Sequence, residues 1–408
     1  MSLDRLNAVL KGAVDELKAR GTAKAQEMVV TGIKPASAEN GPRYFIEGYG
    51  DREFIRMNSN SYLGISMAPE VIAAEEAAAR EFGTGPGAVR FISGTYAAHT
   101  DLEAQLARFH SKGAGLLFSS AYVTSLGVLM PLATGDTVYI SDELNHNCII
   151  QAMRLSRPQG KAIYRHNDMA DLEIKLDEWA GKAKRALVVT DGIFSMRGDH
   201  APLQEFTAIC AKYTDRFEEG LLTVMDDSHG VGGFGQTGRG TEEYCGVQVD
   251  VLIGTLGKAF GVNGGYVVTS PEIVDYLRQI APMYIYSNPI TVAEAKAASA
   301  ALKLVDSPRG LKILEHLRAM TTRFQTGLEK HGYETIPGDH PVVPLMVRDT
   351  ARTADLVRFL TERGVLATGL NFPVVPKGDE EIRFQVNADH QPADIDYVLE
   401  VLRDYRAR

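Results

Sequence analysis

The segment Leu222-Thr-Val-Met-Asp226-Asp227-Ser228-His229-Gly230 decides the fold, because an apolar run ends in a carboxylate and a histidine follows three residues later. A second apolar run, Val251–Ile253, leads into Gly254-Thr-Leu-Gly-Lys258, thirty-two positions after Asp226. Short apolar runs that alternate with helical patterns are typical of a parallel sheet covered on both faces. Ligands bind at the carboxyl ends of such strands. We therefore expect Asp226, His229 and Lys258 to share one site.

Neither Asp226 nor Lys258 alone indicates a functional site, since an Asp at the end of a strand is usually a helix cap and a Lys is usually solvated. Together they suit pyridoxal 5′-phosphate (PLP). A lysine at an apolar strand–loop junction has a destabilised ammonium group, so its neutral amine is available to form an imine. An anion beside the pyridine nitrogen keeps the ring protonated and able to accept electrons. The sequence predicts that Lys258 supplies the amine and Asp226 the anion.

The phosphate of PLP requires the unpaired N–H groups of a helix N-terminus. Phe118-Ser-Ser120-Ala121-Tyr122-Val-Thr-Ser125 predicts a strand that ends in serines and is followed by a helix. Ordinary helix capping explains a serine-rich strand exit equally well when it stands alone. Further donors for the phosphate are Thr255, Ser287 and Asn288. His146, in Ser141-Asp-Glu-Leu-Asn-His146, is the candidate aromatic lid over the ring.

A glycine-rich run, Gly230-Val-Gly-Gly-Phe-Gly235, offers a competing interpretation as a dinucleotide-binding loop. It follows Asp226 and His229 rather than coming directly off a strand, and no acidic residue stands at the expected distance after a second βα unit. The sequence therefore favours PLP over a dinucleotide.

The pattern along the chain predicts an α/β protein with a large, mostly parallel sheet and a small α+β lobe built from both chain ends. Leu3, Leu6, Val9, Leu10, Val14 and Leu17 recur at helical spacing and predict an amphipathic helix packed on another surface. We expect residues 1–60 to form an N-terminal helix and arm, 61–305 the large PLP-binding domain, and 306–408 the small domain.

Composition excludes several classes of partner. The formal net charge of −9 argues against nucleic acid and anionic membranes. Cys148, Cys210 and Cys245 are widely spaced, which indicates reduced thiols rather than a disulfide framework or a metal site. The charged first twenty residues do not match a signal peptide, and no run of about 18 apolar residues predicts a membrane helix. We expect a cytoplasmic protein without a bound metal.

Several motifs together resemble the α-oxoamine synthases. These motifs are Asn60-Ser-Tyr-Leu-Gly64, Arg90-Phe-Ile-Ser-Gly-Thr95, Thr190-Asp-Gly-Ile-Phe-Ser195-Met, Asp226-Asp-Ser-His-Gly and Gly254-Thr-Leu-Gly-Lys258. They occur in order between about residues 60 and 388. The resemblance implies the fold-type I PLP-dependent transferase architecture, similar to aspartate aminotransferase. It also implies a homodimer whose active sites lie at the subunit interface.

The resemblance implies a role for each matching residue. Lys258 would carry PLP, Asp226 would pair with the pyridine nitrogen, and His146 would stack on the ring. His229 and Ser195 would contact the ring hydroxyl, and Ala121 and Tyr122, beside Ser120, would hold the phosphate through the backbone. Asn60 and Arg383 would bind the amino-acid carboxylate, a role that suits the bidentate fork of arginine. Val89, before Arg90, would lie near the substrates.

Within the family, Val89 and Asn371-Phe-Pro-Val-Val-Pro-Lys-Gly378 resemble the aminoketobutyrate CoA ligases. This implies a PLP-dependent condensation of glycine with acetyl-CoA to 2-amino-3-ketobutyrate and CoA. Arg197 and Pro289 depart from that pattern. Serine palmitoyltransferase, with a long-chain thioester on CoA or an acyl carrier protein, and then 8-amino-7-oxononanoate synthase stay open as alternatives. So do another PLP reaction, such as transamination or aldol cleavage, and a non-catalytic PLP-binding role.

Overall fold

The computed structural model describes residues 2–20, 22–23, 27–372 and 374–408, so parts of the predicted N-terminal segment lie outside the described residues. The elements before the main sheet are α1 (Ser2–Ala19), β1 (Val30–Lys34), β2 (Arg43–Ile46), β3 (Ile55–Arg56), α2 (Pro69–Phe82) and α3 (Ala97–Phe109). Strands β1 and β2 form an antiparallel hairpin. The amphipathic helix predicted at the start of the chain is α1, but its six apolar side chains are exposed in the single chain.

A seven-stranded sheet forms the centre of the large domain. Its strands are β4 (Ala114–Phe118), β5 (Thr137–Asp142), β6 (Gly160–Tyr164), β7 (Arg185–Asp191), β8 (Leu221–Asp226), β9 (Val251–Thr255) and β10 (Gly265–Thr269). Their order across the sheet is β4-β10-β9-β8-β7-β5-β6. Strand β10 runs antiparallel to both of its neighbours, whereas the strands from β9 to β6 all pair in parallel. The predicted parallel-rich α/β sheet is confirmed.

Helices cover this sheet on both faces. They are α4 (Ala121–Leu132), α5 (Asn147–Leu155), α6 (Met169–Trp179), α7 (Leu203–Tyr213), α8 (Thr241–Cys245), α9 (Pro271–Ile280), α10 (Pro282–Ile285) and α11 (Val292–Val305). Successive side chains of the central strands enter opposite hydrophobic layers: Val224 packs in one and Met225 in the other. Burial on both faces is why these strands are continuous apolar runs rather than alternating ones.

The small lobe combines segments from distant parts of the sequence. It contains α12 (Pro308–Lys330), β11 (Val342–Met346), α13 (Thr350–Glu362), β12 (Val365–Leu366), β13 (Thr368–Leu370), β14 (Glu381–Gln385) and α14 (Pro392–Arg406). Strands β11, β14 and β13 form an antiparallel sheet, and β12 pairs in parallel with β3. Arg43 also bonds to Asp394 at the start of α14. Both chain ends therefore contribute to this lobe, while the exact domain boundaries stay a prediction.

The turn after β8 is shaped by a buried carboxylate, Asp227, which accepts hydrogen bonds from the Thr241 amide at 2.7 Å and the Thr241 hydroxyl at 2.6 Å. A Cβ atom on Gly230 would lie 2.2 Å from Asp227 Oδ1, so only glycine fits there. The glycine-rich run after Asp226 thus allows the backbone to pack closely around Asp227. This packing fixes the course of the chain that presents His229.

Candidate active site

A cavity lies at the carboxyl ends of β7 and β8, beside the start of α4 and the turn after β9. Its lining is formed by Ala121, Tyr122, His146, Cys148, Asp191, Ile193, Ser195, Asp226, Ser228, His229 and Lys258. The position agrees with the rule that parallel sheets bind ligands at the carboxyl edge. The structure therefore brings together seven of the predicted residues: Ala121, Tyr122, His146, Ser195, Asp226, His229 and Lys258.

Asp226 ends β8 as a buried carboxylate that is held from both sides. Oδ2 accepts the Ser125 hydroxyl at 3.1 Å and lies 3.6 Å from the Cys148 sulfur, and Oδ1 accepts the Ser228 amide at 3.0 Å. Donors of this kind stabilise the ionised form of a carboxylate in a buried site. An ionised carboxylate at the floor of the cavity fits the requirement for an anion beside a protonated pyridine nitrogen.

Lys258 reaches the same cavity from the turn after β9. Burial, opposed in part by the charge of Asp226, lowers the pKa of its amine to about 8. Lys258 Nζ forms no hydrogen bond or ion pair with the residues that the structure describes. A lowered pKa makes far more of this amine unprotonated at neutral pH than in an ordinary lysine, and the unprotonated form is the one that attacks a carbonyl carbon.

Helix α4 begins at the other end of the cavity. The hydroxyl of Ser120 accepts the Val123 amide at 3.3 Å, so this serine caps the helix. The amides of Ala121 and Tyr122 belong to the first turn, where no helical carbonyl is available to them. The antiparallel strand β10 approaches closely here, because a Cβ on Gly265 would lie 2.5 Å from the Ala121 nitrogen. This cradle of free amides fits a phosphate group.

His146 caps helix α5 and has an exposed imidazole. Its Nδ1 accepts the Cys148 amide at 3.3 Å and lies 2.9 Å from the Cys148 sulfur. Its own amide donates to Asp191 Oδ2 at 3.0 Å. Two contacts from the chain thus orient the ring, while its remaining surface lies at the cavity, as a stacking lid requires.

His229 also lines the cavity and is buried. Its Nδ1 is 2.6 Å from the hydroxyl of Tyr62, and its carbonyl oxygen is 2.9 Å from Nε2 of His340. Burial, reinforced by the charge of Lys258, lowers the pKa of His229 well below its ordinary value. The imidazole is therefore neutral at physiological pH.

Arg383 and Asn60, predicted to bind the amino-acid carboxylate, meet although they stand 323 positions apart. Arg383 Nη2 donates to Asn60 Oδ1 at 3.2 Å, and the side-chain oxygen of Gln385 accepts from Arg383 Nη1 at 2.9 Å and Nη2 at 3.1 Å. Nε of Arg383 is buried and has no hydrogen-bond partner among the described residues. Because a buried, incompletely bonded guanidinium is unfavourable, this arrangement favours an anionic ligand.

The remaining predicted residues lie outside the lining of the cavity. The Thr255 hydroxyl donates to the Gly264 carbonyl at 3.3 Å. Ser287 and Asn288 follow α10 at the surface, and Val89 lies half-buried at the start of the Arg90–Gly94 turn. In the segment 371–378, Pro373 lies outside the described residues. Within one chain, none of these side chains is placed against Lys258.

The sequence did not single out the lining residues Cys148, Asp191, Ile193 and Ser228, or the neighbouring Ser125 and Tyr62. Asp191 lies directly opposite Asp226 in the register of β7 and β8, a position that strand pairing would have revealed. Cys148 stands two residues after His146, and Ser125 one helical turn after Ala121, so both share a surface with a predicted residue. Tyr62 carries no such local signal, because its neighbour His229 is 167 positions away.

The chain matches the family model described as aminotransferase class I and II over residues 52–402. A mitochondrial 2-amino-3-ketobutyrate coenzyme A ligase of Bos taurus is 39% identical over 402 residues, covering 98% of this chain and 92% of that protein. An 8-amino-7-oxononanoate synthase of Thermosipho melanesiensis is 35% identical over 389 residues, covering 95% of this chain and 94% of that protein.

Solved structures of serine palmitoyltransferases share the fold. The Sphingomonas wittichii enzyme superposes with a TM-score of 0.88 at 27% identity and covers 99% of this chain and 98% of its own. The S. paucimobilis enzyme, described with bound PLP and myriocin, has a TM-score of 0.87 at 26% identity with the same coverage. These comparisons confirm the predicted fold-type I architecture, the PLP cofactor and the acyltransferase class. The chain belongs to the aminotransferase class I and II family.

Proposed function

We propose that this protein condenses glycine with acetyl-CoA, and that it does so in the cavity lined by Lys258 and Asp226, with Arg383 beside it. The observation that carries the proposal is the pairing of two features in one region. One is an amine with a lowered pKa beside a buried carboxylate, and the other is a guanidinium with an unpartnered Nε. The first suits PLP and the second suits the carboxylate of an amino acid.

When bound, PLP supplies an electron sink that stabilises negative charge at the α-carbon of the amino acid. Asp226 would hold the pyridine nitrogen protonated, and the amides of Ala121 and Tyr122 would hold the phosphate. His146 would cover one face of the ring, with Ser195 and His229 at the ring hydroxyl. Thr255, Ser287 and Asn288 stay proposed phosphate donors.

Lys258 would have two roles. Its amine would bind the cofactor covalently in the resting enzyme, and after the amino acid takes that place, Nζ would accept the α-proton. A general base works best when its pKa lies near the working pH, and the pKa of about 8 for Lys258 meets this condition. Arg383 and Asn60 would fix the carboxylate, which orients the α-proton toward Nζ.

The thioester would then be attacked by the activated α-carbon, and CoA would leave as the thiol. The relatives named 2-amino-3-ketobutyrate coenzyme A ligase support glycine and acetyl-CoA as the pair. Val89 and the segment 371–378 are proposed to limit the size of the substrates. Phe372 and Val374 of that segment are exposed, whereas Val375 is buried.

A homodimer with shared active sites is also proposed. Phe91 and Ile92 are 63% and 65% exposed, and Tyr286, next to Ser287 and Asn288, is 79% exposed. Together with the exposed apolar side chains of α1, these residues fit burial against a second copy of the chain. Such a copy would bring Ser287 and Asn288 to the partner's phosphate site. Sedimentation should give a dimer, and Tyr286→Asp should shift it toward the monomer.

None of the described helices is long and apolar enough to cross a membrane. Cys148, Cys210 and Cys245 are free and buried, which fits a reducing compartment. We propose a cytoplasmic location. Fractionation of the source cells tests it, and recovery with a membrane or organelle fraction would refute it.

Thiol release tests the reaction. Purified, PLP-loaded protein is incubated with glycine, alanine or serine, each paired with acetyl-CoA or palmitoyl-CoA, and free CoA is measured. Glycine with acetyl-CoA should give the highest kcat/KM. A preference for serine with palmitoyl-CoA would instead identify a serine palmitoyltransferase, the activity named for the structural relatives. No thiol release with any pair, from protein that binds PLP, would refute the proposed condensation of glycine with acetyl-CoA.

A further inference from the structure

Tyr62 contacts both parts of the site, the cofactor cavity and the pair proposed to bind the carboxylate, although the sequence assigned it to neither. Its side chain is fully buried, and its hydroxyl lies 2.6 Å from Nδ1 of His229. The same hydroxyl lies 3.5 Å from Asn60 Oδ1 and against the guanidinium of Arg383. One oxygen atom therefore contacts both the histidine of the cofactor cavity and the pair proposed to bind the carboxylate.

The direction of the Tyr62–His229 hydrogen bond follows from the surrounding groups. Burial raises the pKa of the Tyr62 phenol far above 10 and lowers that of His229, so both groups are neutral and share a single proton between oxygen and nitrogen. Asn60 Oδ1 is the only other acceptor near the phenol among the described residues. It is more distant, at 3.5 Å, and it already receives Arg383 at 3.2 Å. The short contact to Nδ1 therefore takes the phenolic proton.

A second histidine holds the backbone of His229. His340 Nδ1 accepts the Val342 amide at 3.1 Å, which leaves Nε2 as the protonated nitrogen of that ring. Nε2 lies 2.9 Å from the His229 carbonyl and donates to it. The ring of His340 also packs edge-on against Tyr62 at 5.2 Å between centroids. His229 is thus held at its carbonyl and at Nδ1, and only Nε2 is left for the cavity.

We propose that Tyr62 is a positioning residue that fixes His229 in the form protonated on Nε2, so that this N–H donates to the ring hydroxyl oxygen of bound PLP. The proposal rests on the PLP assignment for its last step. Without the phenolic proton, His229 is free to carry its hydrogen on Nδ1 and to present a lone pair to that oxygen. Because Arg383 lies against the same phenol, Tyr62 also connects occupancy of the carboxylate site to the orientation of His229.

The first test uses the native protein without cofactor. Nitrogen-15 NMR of histidine-labelled protein distinguishes a protonated from an unprotonated ring nitrogen. We expect a protonated Nε2 and an unprotonated Nδ1 for His229. A protonated Nδ1 would overturn the proposal. This measurement requires neither PLP binding nor turnover, so its outcome is separate from that of the proposed function.

The second test compares Tyr62→Phe with Tyr266→Phe. Tyr266 is a matched control, because its buried hydroxyl lies 2.9 Å from Nε2 of another buried histidine, His110, away from the cavity. In Tyr62→Phe the His229 signals should change. The pH midpoint of the visible absorption of bound PLP should rise by about one unit, since a donor to the ring oxygen stabilises the more anionic form.

Tyr266→Phe should leave both readouts unchanged. If Tyr62→Phe also leaves the His229 signals and the absorption midpoint at their native values, Tyr62 does not position His229, and the proposed function is unaffected. If the native protein fails to bind PLP while its His229 is protonated on Nε2, the cofactor assignment fails and the Tyr62–His229 relationship stands.

Discussion

Asp191 and Asp226 end neighbouring parallel strands and lie directly opposite each other in the sheet register, yet their surroundings differ. Asp226 is contacted by the Ser125 hydroxyl, the Ser228 amide and the Cys148 thiol. Asp191 accepts only the His146 amide on Oδ2, and its Oδ1 is buried without a partner among the described residues. Burial and then the negative charge of Asp226 raise the pKa of Asp191 well above its usual range. Asp191 is therefore the carboxyl group of the pair that we expect to hold a proton.

Asp191→Asn should change kcat/KM less than tenfold, a difference below about 1.4 kcal/mol. Asparagine keeps an oxygen for the His146 amide and, like a protonated carboxyl group, is neutral. The infrared absorption of protonated carboxylic acids should be weaker in this variant than in the native protein, with Glu381, whose pKa is raised to about 8, still contributing in both. Asp226→Asn is the matched comparison and should lose most turnover while retaining some PLP, because the pyridine nitrogen loses its anion. Comparable losses in the two variants would show that Asp191 is ionised as well.

Arg383→Leu should raise the KM for the amino acid roughly 10- to 100-fold, since a charge-assisted contact to a carboxylate contributes about 1.5–3 kcal/mol. The KM for the acyl-CoA should change far less. Arg323→Leu removes a comparable cation from the same lobe, where Arg323 pairs with Asp396 at the surface, and should alter neither constant. Equal effects of Arg383→Leu on both substrates would place Arg383 outside the carboxylate site.

The free energy of unfolding should fall as pH rises, because of His166. One ring nitrogen of His166 lies 3.1 Å from Asp142 and the other 3.1 Å from Asp199. Burial alone would lower its pKa, but the hydrogen bonds and charges of these carboxylates outweigh burial and raise the pKa to about 9. Because folding raises this pKa, the stabilisation is complete below the pKa of about 6.5 that histidine has in the unfolded chain. It is lost as pH rises through 9.

The loss between pH 6.5 and 9.5 should approach about 3 kcal/mol, as the shift of roughly two units and a half implies. Urea denaturation across this range measures it. His166→Asn should be less stable than the native protein at pH 6 and nearly equal at pH 9.5. Parallel stability curves for the two proteins would mean that His166 is not the group responsible.

The parts of the site that sequence could predict are those governed by local pattern. Asp226 and Lys258 each follow a fully buried strand, and the rule that strand ends share an edge was enough to join them. Ser120 and His146 are the N-caps of helices, so the sequence around each of them also predicted its position in the fold. His146 is both a helix cap and part of the cavity wall, and Ser120 caps the helix whose first residues line the cavity, which is why capping alone did not distinguish the two interpretations.

Long-range geometry explains what sequence could not predict. Tyr62 contacts His229 and Arg383 only after β3, β14 and the large domain have packed together, so no spacing along the chain indicates these contacts. Strand β6 was not predicted, because its residues Lys161 and Ile163 are exposed at the sheet edge and the run is not continuously apolar. The exposed apolar face of α1 depends on a partner, which one chain does not contain.

The central claim, that Lys258 holds PLP in this cavity, is tested most directly by borohydride reduction followed by peptide mapping. The native protein should be yellow, and reduction should remove the visible band and leave the cofactor attached to the peptide that contains Lys258. Lys258→Ala should bind PLP without a covalent link that reduction can trap. Recovery of the reduced cofactor on any other lysine, or its absence from the native protein, would contradict the account.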